Sequence, residues 1–271
     1  MRPVILNQGA GAWAFEPLAE RLAQALWIDV SEEPADVNYV LSWDRPASPP
    51  GRSFIPTHAV SVAADKRLQV DRFASAGVPT PLTHLLDGLA QAAQLDDRVG
   101  RWIVKYPTSC GASGHRFLDD PSPLGGDWPK PFIVQEFIEL DPPEVYRTYG
   151  AGGSLFGWNV RRFPDGEEAS PWVAHATGAA YSHLGPAPAD AVAAARAALG
   201  ACGLLSSFGC VDLLDGPDGW LVLEVGTDGL VNHVDREVGE PFATELDRKL
   251  AEAFWAGLGP APWGSDWRYR S

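Results

Sequence analysis

Lysine is scarce in this chain. Only Lys66, Lys105, Lys130 and Lys249 occur among 271 residues, and the formal net charge is −14. A surface this acidic repels nucleic acid and anionic membrane alike, so generic binding to either is excluded. An anionic ligand needs only a local cluster of positive charge, which makes the position of each lysine informative. No run approaches the ~20 apolar residues of a membrane span, and the first residues lack a signal-peptide pattern. The three cysteines, Cys110, Cys202 and Cys210, are odd in number and carry no zinc spacing. They are expected to be reduced thiols in a cytoplasmic protein. No Gly-Lys-Ser/Thr opens a helix, which excludes a P-loop. The six histidines (His58, His84, His115, His175, His183 and His233) show no metal-ligand spacing. They read as surface or structural residues, with His115 and His233 kept as site candidates. No repeat of fixed period and no low-complexity segment is present.

What is there describes an ordinary folded protein. Apolar residues make up 45% of the chain, and this length suffices for a substantial core divided into two or three lobes. Residues 2–8 read as a buried strand, followed by a helix over Phe15–Leu26 and short strands at Trp27–Val30 and Val37–Ser42. Asp44–Arg52 is a Pro-rich connector. Beyond Phe54, Lys66–Ala76 has helical spacing and is stopped by Gly77, while Val78-Pro79-Thr80-Pro81 enforces an extended exit. Strands are predicted at Leu82–Leu86, Arg101–Tyr106, Arg116–Leu118 and Phe132–Ile138, with a short helix over Gly88–Leu95. Glu144–Arg162 reads as a long hairpin. Helices are predicted from Pro188 or Asp190 to Ala201 and over Glu240–Leu258. This order implies an α+β protein: a small N-terminal α/β lobe at 1–53, a central unit at 54–135 and a C-terminal unit at 136–271.

Three features carry chemistry. Gly209–Leu214 and Trp220–Val225 form two apolar strands about a turn, and each holds one carboxylate, Asp212 and Glu224. A buried carboxylate demands a cation, a basic partner or a hydrogen-bond network, and two oxygen donors on adjacent strands suit a hard ion such as Mg²⁺. Outward alternation from a half-buried sheet is the competing reading. Pro107–Gly114 is a loop of small and hydroxyl residues able to present N–H groups to an anion. Lys105 stands at its start inside the apolar run Trp102–Tyr106.

Taken in order, these features resemble the ATP-grasp superfamily of carboxylate–amine ligases. Asp65-Lys66 with Gly77-Val78-Pro79-Thr80-Pro81 is similar to that family's DK…GIPTP. Ile103–Pro107 with Ser109–Gly114 is similar to its VVKP…GS-G loop, and Val211-Asp212-Leu213 and Leu223-Glu224-Val225 to its metal-binding strands. The resemblance implies that Lys66, Lys105 and the loop residues Ser109, Gly111, Ser113 and Gly114 contact nucleotide phosphates. It implies that Gln135, Glu136, Phe137 and Ile138 hold adenine, and that Glu144 reaches the ribose. Arg147, with Arg161 or Arg162, would bind the phosphoryl group in flight. Asp212 and Glu224 would hold Mg²⁺ (or Mn²⁺), with Asp228 or Asn232 as substitutes at a position where relatives carry Asn and this chain has Gly226. His175-Ala176-Thr177-Gly178 resembles a loop near the acceptor site.

The implied reaction is ATP-dependent ligation: a carboxylate is activated as an acyl phosphate, an amine attacks, and ADP and phosphate are released. The substrates would be a small molecule or peptide in a biosynthetic route, with neither nucleic acid nor membrane as partner; the reading also permits an oligomer. Gly226 motivates an alternative, a nucleotide-binding homologue without ligase chemistry. ATP-driven cyclisation or simple phosphorylation is a third reading.

Overall fold

A computed structural model describes residues 1–45, 47–96, 98–109, 111–166, 169–227, 240–256 and 258. Cys110, Asp228, Asn232 and His233 lie outside these residues.

Three sheets organise the chain. The first is wholly parallel, with strands β1 (Pro3–Asn7), β2 (Asp29–Ser31), β3 (Val37–Ser42) and β4 (Arg52–Ser53) in the order β2-β1-β3-β4. Helix α1 (Glu16–Leu26) makes the crossover from β1 to β2. Val4, Ile5 and Leu6 are all fully buried, as expected of a parallel strand covered on both faces. The strand expected at Trp27–Val30 begins two residues later, because Trp27 closes α1 in the left-handed conformation (φ 59°) and donates its N–H to Ala23. The Pro-rich connector contributes a fourth strand at its end, through Arg52.

Two helices follow, α2 (Thr57–Ala64) and α3 (Lys66–Ala76). Sequence periodicity signalled only the second. The second sheet is antiparallel, with β5 (Thr83–Leu86), β6 (Trp102–Lys105), β7 (His115–Phe117) and β8 (Phe132–Glu136) in the order β5-β8-β6-β7. Its own small core is Trp102, Val104, Phe132 and Val134. The helix expected over Gly88–Leu95 is a 3₁₀ segment, Leu89–Gln94.

The third sheet is antiparallel and carries both carboxylates. Strands β9 (Glu144–Ala151), β10 (Ser154–Arg162), β11 (Ala180–His183), β12 (Phe208–Gly216) and β13 (Gly219–Gly226) run in the order β11-β10-β9-β12-β13. Strand β11 gave no clear signal in the sequence. Strand alternation divides the functions of the two faces. On one face Gly150 and Gly209 are cross-strand partners, and a Cβ on either would strike Leu199 at 2.5 and 2.8 Å. Their missing side chains admit helix α4 (Ala189–Ala201), whose buried residues are Ala191, Ala194, Ala195, Ala198 and Leu199. The other face bears Arg147, Arg161, Asp212 and Glu224.

Helix α5 (Glu240–Ala256) joins the third sheet to the first. Phe254 packs edge-on to Phe54 at 5.3 Å, Trp255 Nε1 donates to Leu26 O at 2.9 Å, and Arg21 pairs with Asp247 at 3.1 Å. A single apolar core therefore runs from Ile5 and Leu22 through Tyr39 to Tyr149 and Leu199. Among the described residues no helix is long and apolar enough to cross a membrane.

Candidate active site

Between the second and third sheets lies a cavity of about 980 Å³, at the upper end of the range for small-molecule sites. Its construction begins with Asp65. The Asp65 carboxylate caps α3 by accepting from the Arg67 N–H at 2.9 Å and holds the Arg67 guanidinium as well. These Arg67 hydrogen bonds keep the Asp65 carboxyl below its usual range. Lys66 is thereby fixed as the first residue of α3. Its backbone N–H donates to Pro107 O at 3.0 Å, and its Nζ reaches Ser109 O at 2.5 Å and Glu224 Oε2 at 3.1 Å.

Lys105 enters from β6 and is 5% exposed. Burial pushes its ammonium down to about 8, with Lys66 adding to the effect and Glu224 and Asp212 opposing it. The loop after it closes on itself through Tyr106 N–H to Gly114 O at 2.8 Å. A Cβ on Gly114 would lie 2.2 Å from that of Tyr106, so only glycine permits the closure. Ser109, Gly111 and Ser113 line the cavity, whereas Gly114 shapes the loop without lining it.

Asp212 is the most tightly held side chain of the site. It is 2% exposed, with Arg147 Nε at 2.6 Å from Oδ1 and Arg147 Nη2 at 2.9 Å from Oδ2. Arg161 Nη2 also donates to Oδ2, at 3.1 Å, and its Nη1 donates to the Tyr181 hydroxyl at 2.8 Å. Burial alone would disfavour the ionised carboxyl; the two guanidiniums outweigh it and hold the group down to about 2. The sequence left Arg161 and Arg162 undecided. The fold separates them: Arg161 lines the cavity, while Arg162 turns to the other face and pairs with Glu144 at 3.3 Å. Glu144 lines the cavity with its carboxylate engaged, accepting also from the Tyr146 hydroxyl at 2.5 Å.

Glu224 stands directly opposite Asp212 across β12 and β13. Strand β13 is tied to α3 by Gln69, whose amide donates to Val225 O at 3.0 Å and accepts from Val225 N at 2.9 Å. That buried bond sets Glu224 against Lys66, one turn earlier on α3. Four cations (Lys66, Lys105, Arg147, Arg161) thus meet two carboxylates at one end of the cavity, a local surplus of two positive charges on an acidic protein.

The other end is apolar and aromatic. Ile103, Leu214 and Leu223 line it with Phe117, Phe137 and Trp172. Trp172 comes from the segment between β10 and β11 and packs on Phe117, His115 and Phe137, with ring centroids 4.8, 5.5 and 5.9 Å away. The segment is held by Thr177, whose hydroxyl donates to Trp172 O at 2.5 Å, and its Ala176 faces Gly111 of the glycine loop. His115 is pushed down to about 2 by burial and by the Lys105 and Lys66 charges, so it is neutral. Of the segment expected to face adenine, Gln135, Glu136, Phe137 and Ile138 all line the cavity. The N–H groups of Glu136 and Phe137 are already spent on Leu82 O and Arg101 O. Trp172 and Tyr181 had no signal in the sequence: strand β11 was not legible there, and of the segment before it only His175-Ala176-Thr177-Gly178 was singled out, of which His175 and Ala176 line the cavity.

Asp212 Oδ1 keeps one lone pair free of the arginines, and among the described residues Glu224 pairs with Lys66. Gly226 adds no side-chain oxygen. Among the described residues no group of three or more His, Cys, Asp or Glu side chains converges. Two carboxylates fit Mg²⁺ only when phosphate oxygens and water complete its shell, which is the ordinary way that ion is bound.

No family model matches the chain, and no curated protein matches it either. Solved structures do. The ATP-grasp ligase PsnB complexed with a minimal precursor aligns with a TM-score of 0.67 and 13% identity, over 94% of this chain and 99% of that one. A RimK domain ATP-grasp protein from Sphaerobacter thermophilus aligns at 0.65 with 16% identity, over 93% and 99%. D-cycloserine synthetase DcsG aligns at 0.60 with 19% identity, again over 93% and 99%. Likeness at such low identity speaks to architecture, and it extends over nearly the whole of each chain: this protein has the ATP-grasp fold.

Proposed function

We propose that this protein is an ATP-dependent ligase that activates a carboxylate as an acyl phosphate and passes it to an amine. The observation that carries the reading is the polarity of one cavity: an aromatic and apolar end suited to a base, and an end with two surplus positive charges suited to a triphosphate. The similar structures are of ATP-grasp ligases, one of them determined with a precursor, Mg and ADP.

In this reading Ile103, Phe137, Leu214 and Leu223 enclose the adenine, and Trp172 closes it from above. Lys66 and Lys105 approach the phosphates from α3 and β6, and the Ser109–Gly114 loop covers them. Arg147 and Arg161 steady the negative charge on the γ-phosphoryl group as it passes to the carboxylate. Being already held by Asp212, they need no reorganisation in the transition state. Asp212 and Glu224 would hold Mg²⁺, which neutralises phosphate charge when bound. The protein's work is positioning and charge neutralisation; the acyl phosphate is itself reactive towards an amine held nearby.

A thermal-shift titration with ATP and Mg²⁺ tests the nucleotide step. At ~100 times Kd the native state gains about 2.7 kcal/mol, and Glu224→Gln is expected to weaken that gain. ADP release with a panel of carboxylates and amines tests the chemistry. Gly226 favours a second reading, a nucleotide-binding protein without turnover, for which binding persists and no carboxylate–amine pair releases ADP.

A further inference from the structure

On this face of the third sheet the cavity lining ends at Arg147, Arg161 and Tyr181. On the same face of the third sheet the pairing continues outwards, Asn159 opposite Arg147 on one side and His183 on the other, with Arg161 opposite Tyr181. His183 Nδ1 lies 3.0 Å from Asn159 Oδ1. An amide oxygen only accepts, so Nδ1 donates to it, and in the neutral form of this exposed imidazole the lone pair lies on Nε2.

Asn159 is 0% exposed, and among the described residues its Nδ2 has no hydrogen-bond partner. Burying amide hydrogens unspent costs ~1–3 kcal/mol, a poor choice if the position served packing alone. The cost is understandable if Asn159 is kept to fix the imidazole. Among the described residues, the groups that face His183 from packed elements are Asn159 on β10 and the Phe242 ring of α5 at 5.8 Å, both uncharged. The charged side chains on this face of the neighbouring strands, Arg161 and Arg147, are both engaged with Asp212. His183 sits two residues along β11 from Tyr181, about 7 Å by strand rise, and Tyr181 accepts the hydrogen bond of Arg161.

We propose that His183 is the base that takes a proton from the amine acceptor, and that Asn159 is its positioning residue. The inference rests on the ligase reading above. The acceptor arrives as an ammonium ion and gives one proton to His183 Nε2. Its freed lone pair forms the C–N bond at the acyl carbon. The C–O bond to phosphate breaks, phosphate leaving with that electron pair and taking the second proton lost by the nitrogen. His183 then returns its proton to water.

Hydroxylamine separates the two halves of the reaction, because it is a neutral nucleophile at neutral pH and needs no base. The protein is incubated with ATP, Mg²⁺ and a pool of L- and D-amino acids. Hydroxamate is measured with hydroxylamine present, and amide by mass without it. His183→Gln is expected to lower the ratio of amide to hydroxamate about 100-fold, the scale of a lost general base. In His183→Gly, added imidazole is expected to restore amide formation, which a merely structural role would not allow. An unchanged ratio in His183→Gln, or equal loss of both products, overturns the assignment. Absence of both hydroxamate and ADP with the parent protein overturns the ligase reading itself, and this inference with it.

Discussion

Replacing Asp212 with Asn preserves the shape of the side chain and removes the charge that two guanidiniums share. The carboxylate is 2% exposed and accepts from Arg147 at 2.6 and 2.9 Å and from Arg161 at 3.1 Å. Burial disfavours its ionised form, yet the arginines bring it from 3.8 to about 2. A carboxyl lowered that far contributes about 2 kcal/mol to the native state at neutral pH. The sign follows from the direction: the contribution is fully present above the unfolded value and is lost as pH falls through about 2. The amide goes further, leaving two buried cations without a counter-charge, and breaking a buried pair costs ~3–5 kcal/mol. Asp212→Asn is therefore expected to lower the unfolding free energy by about 3 kcal/mol at pH 7, read from urea midpoints in EDTA. The gap to the parent should narrow in acid. Tripolyphosphate, an anion able to take the place of the carboxylate, should recover more stability in the variant than in the parent. A variant within about 0.5 kcal/mol of the parent, or equal gains from tripolyphosphate, would refute the coupling of this cluster.

Other expectations follow from the same site. Lys105 is held down to about 8 mainly by burial, so its charged form costs the native state about 3 kcal/mol at neutral pH, and stability should rise as pH climbs from 8 towards 10.5. Lys105→Met should consequently be more stable than the parent in urea at pH 7 while losing stabilisation by ATP. Nucleotide phosphates favour the charged amine, so ATP binding should take up protons near pH 8 and weaken above it; calorimetry in buffers of different ionisation enthalpy reads this directly. Gln69→Leu strands the buried N–H and C=O of Val225 and should cost ~2–6 kcal/mol, from ~1–3 kcal/mol for each orphaned group. Because the bond also aligns Glu224 with Lys66, magnesium-dependent stabilisation by ATP should fall in the same variant. Trp172→Ala removes ring contacts worth ~0.5–1.5 kcal/mol each, so it should lower Tm and also weaken nucleotide binding about tenfold, measured as Kd beside Tm.

How much of this was legible beforehand depended on sequence distance. The hairpin of β12 and β13, helix α3 with its glycine stop, and the strand running into Lys105 each announce themselves within a dozen residues, because alternation, capping and turn chemistry are local. The glycine loop and the two carboxylate strands were readable for the same reason, and Asp65-Lys66 through its resemblance to a family motif. Helix α2, rich in Val and Ala, carries no distinct periodicity and was silent. Strand β11 is four residues long at a sheet edge, too short to show alternation.

The chain by itself determined which residues carry charge, which strands are apolar, and that two of its four lysines fall where a resembling family places phosphate contacts. Only the tertiary structure decided how those charges are spent. Asp212 meets Arg147 and Arg161 across sequence separations of 65 and 51 residues, and no local pattern says that a carboxylate suited to a cation will first be neutralised by two arginines. Pairing register chose Arg161 over Arg162, since a one-residue step along a strand reverses the face. The same register set His183 beside Asn159 and brought Trp172 onto Phe117. These are contacts between side chains whose energies depend on burial and distance, and both quantities exist only once the sheets have paired and packed.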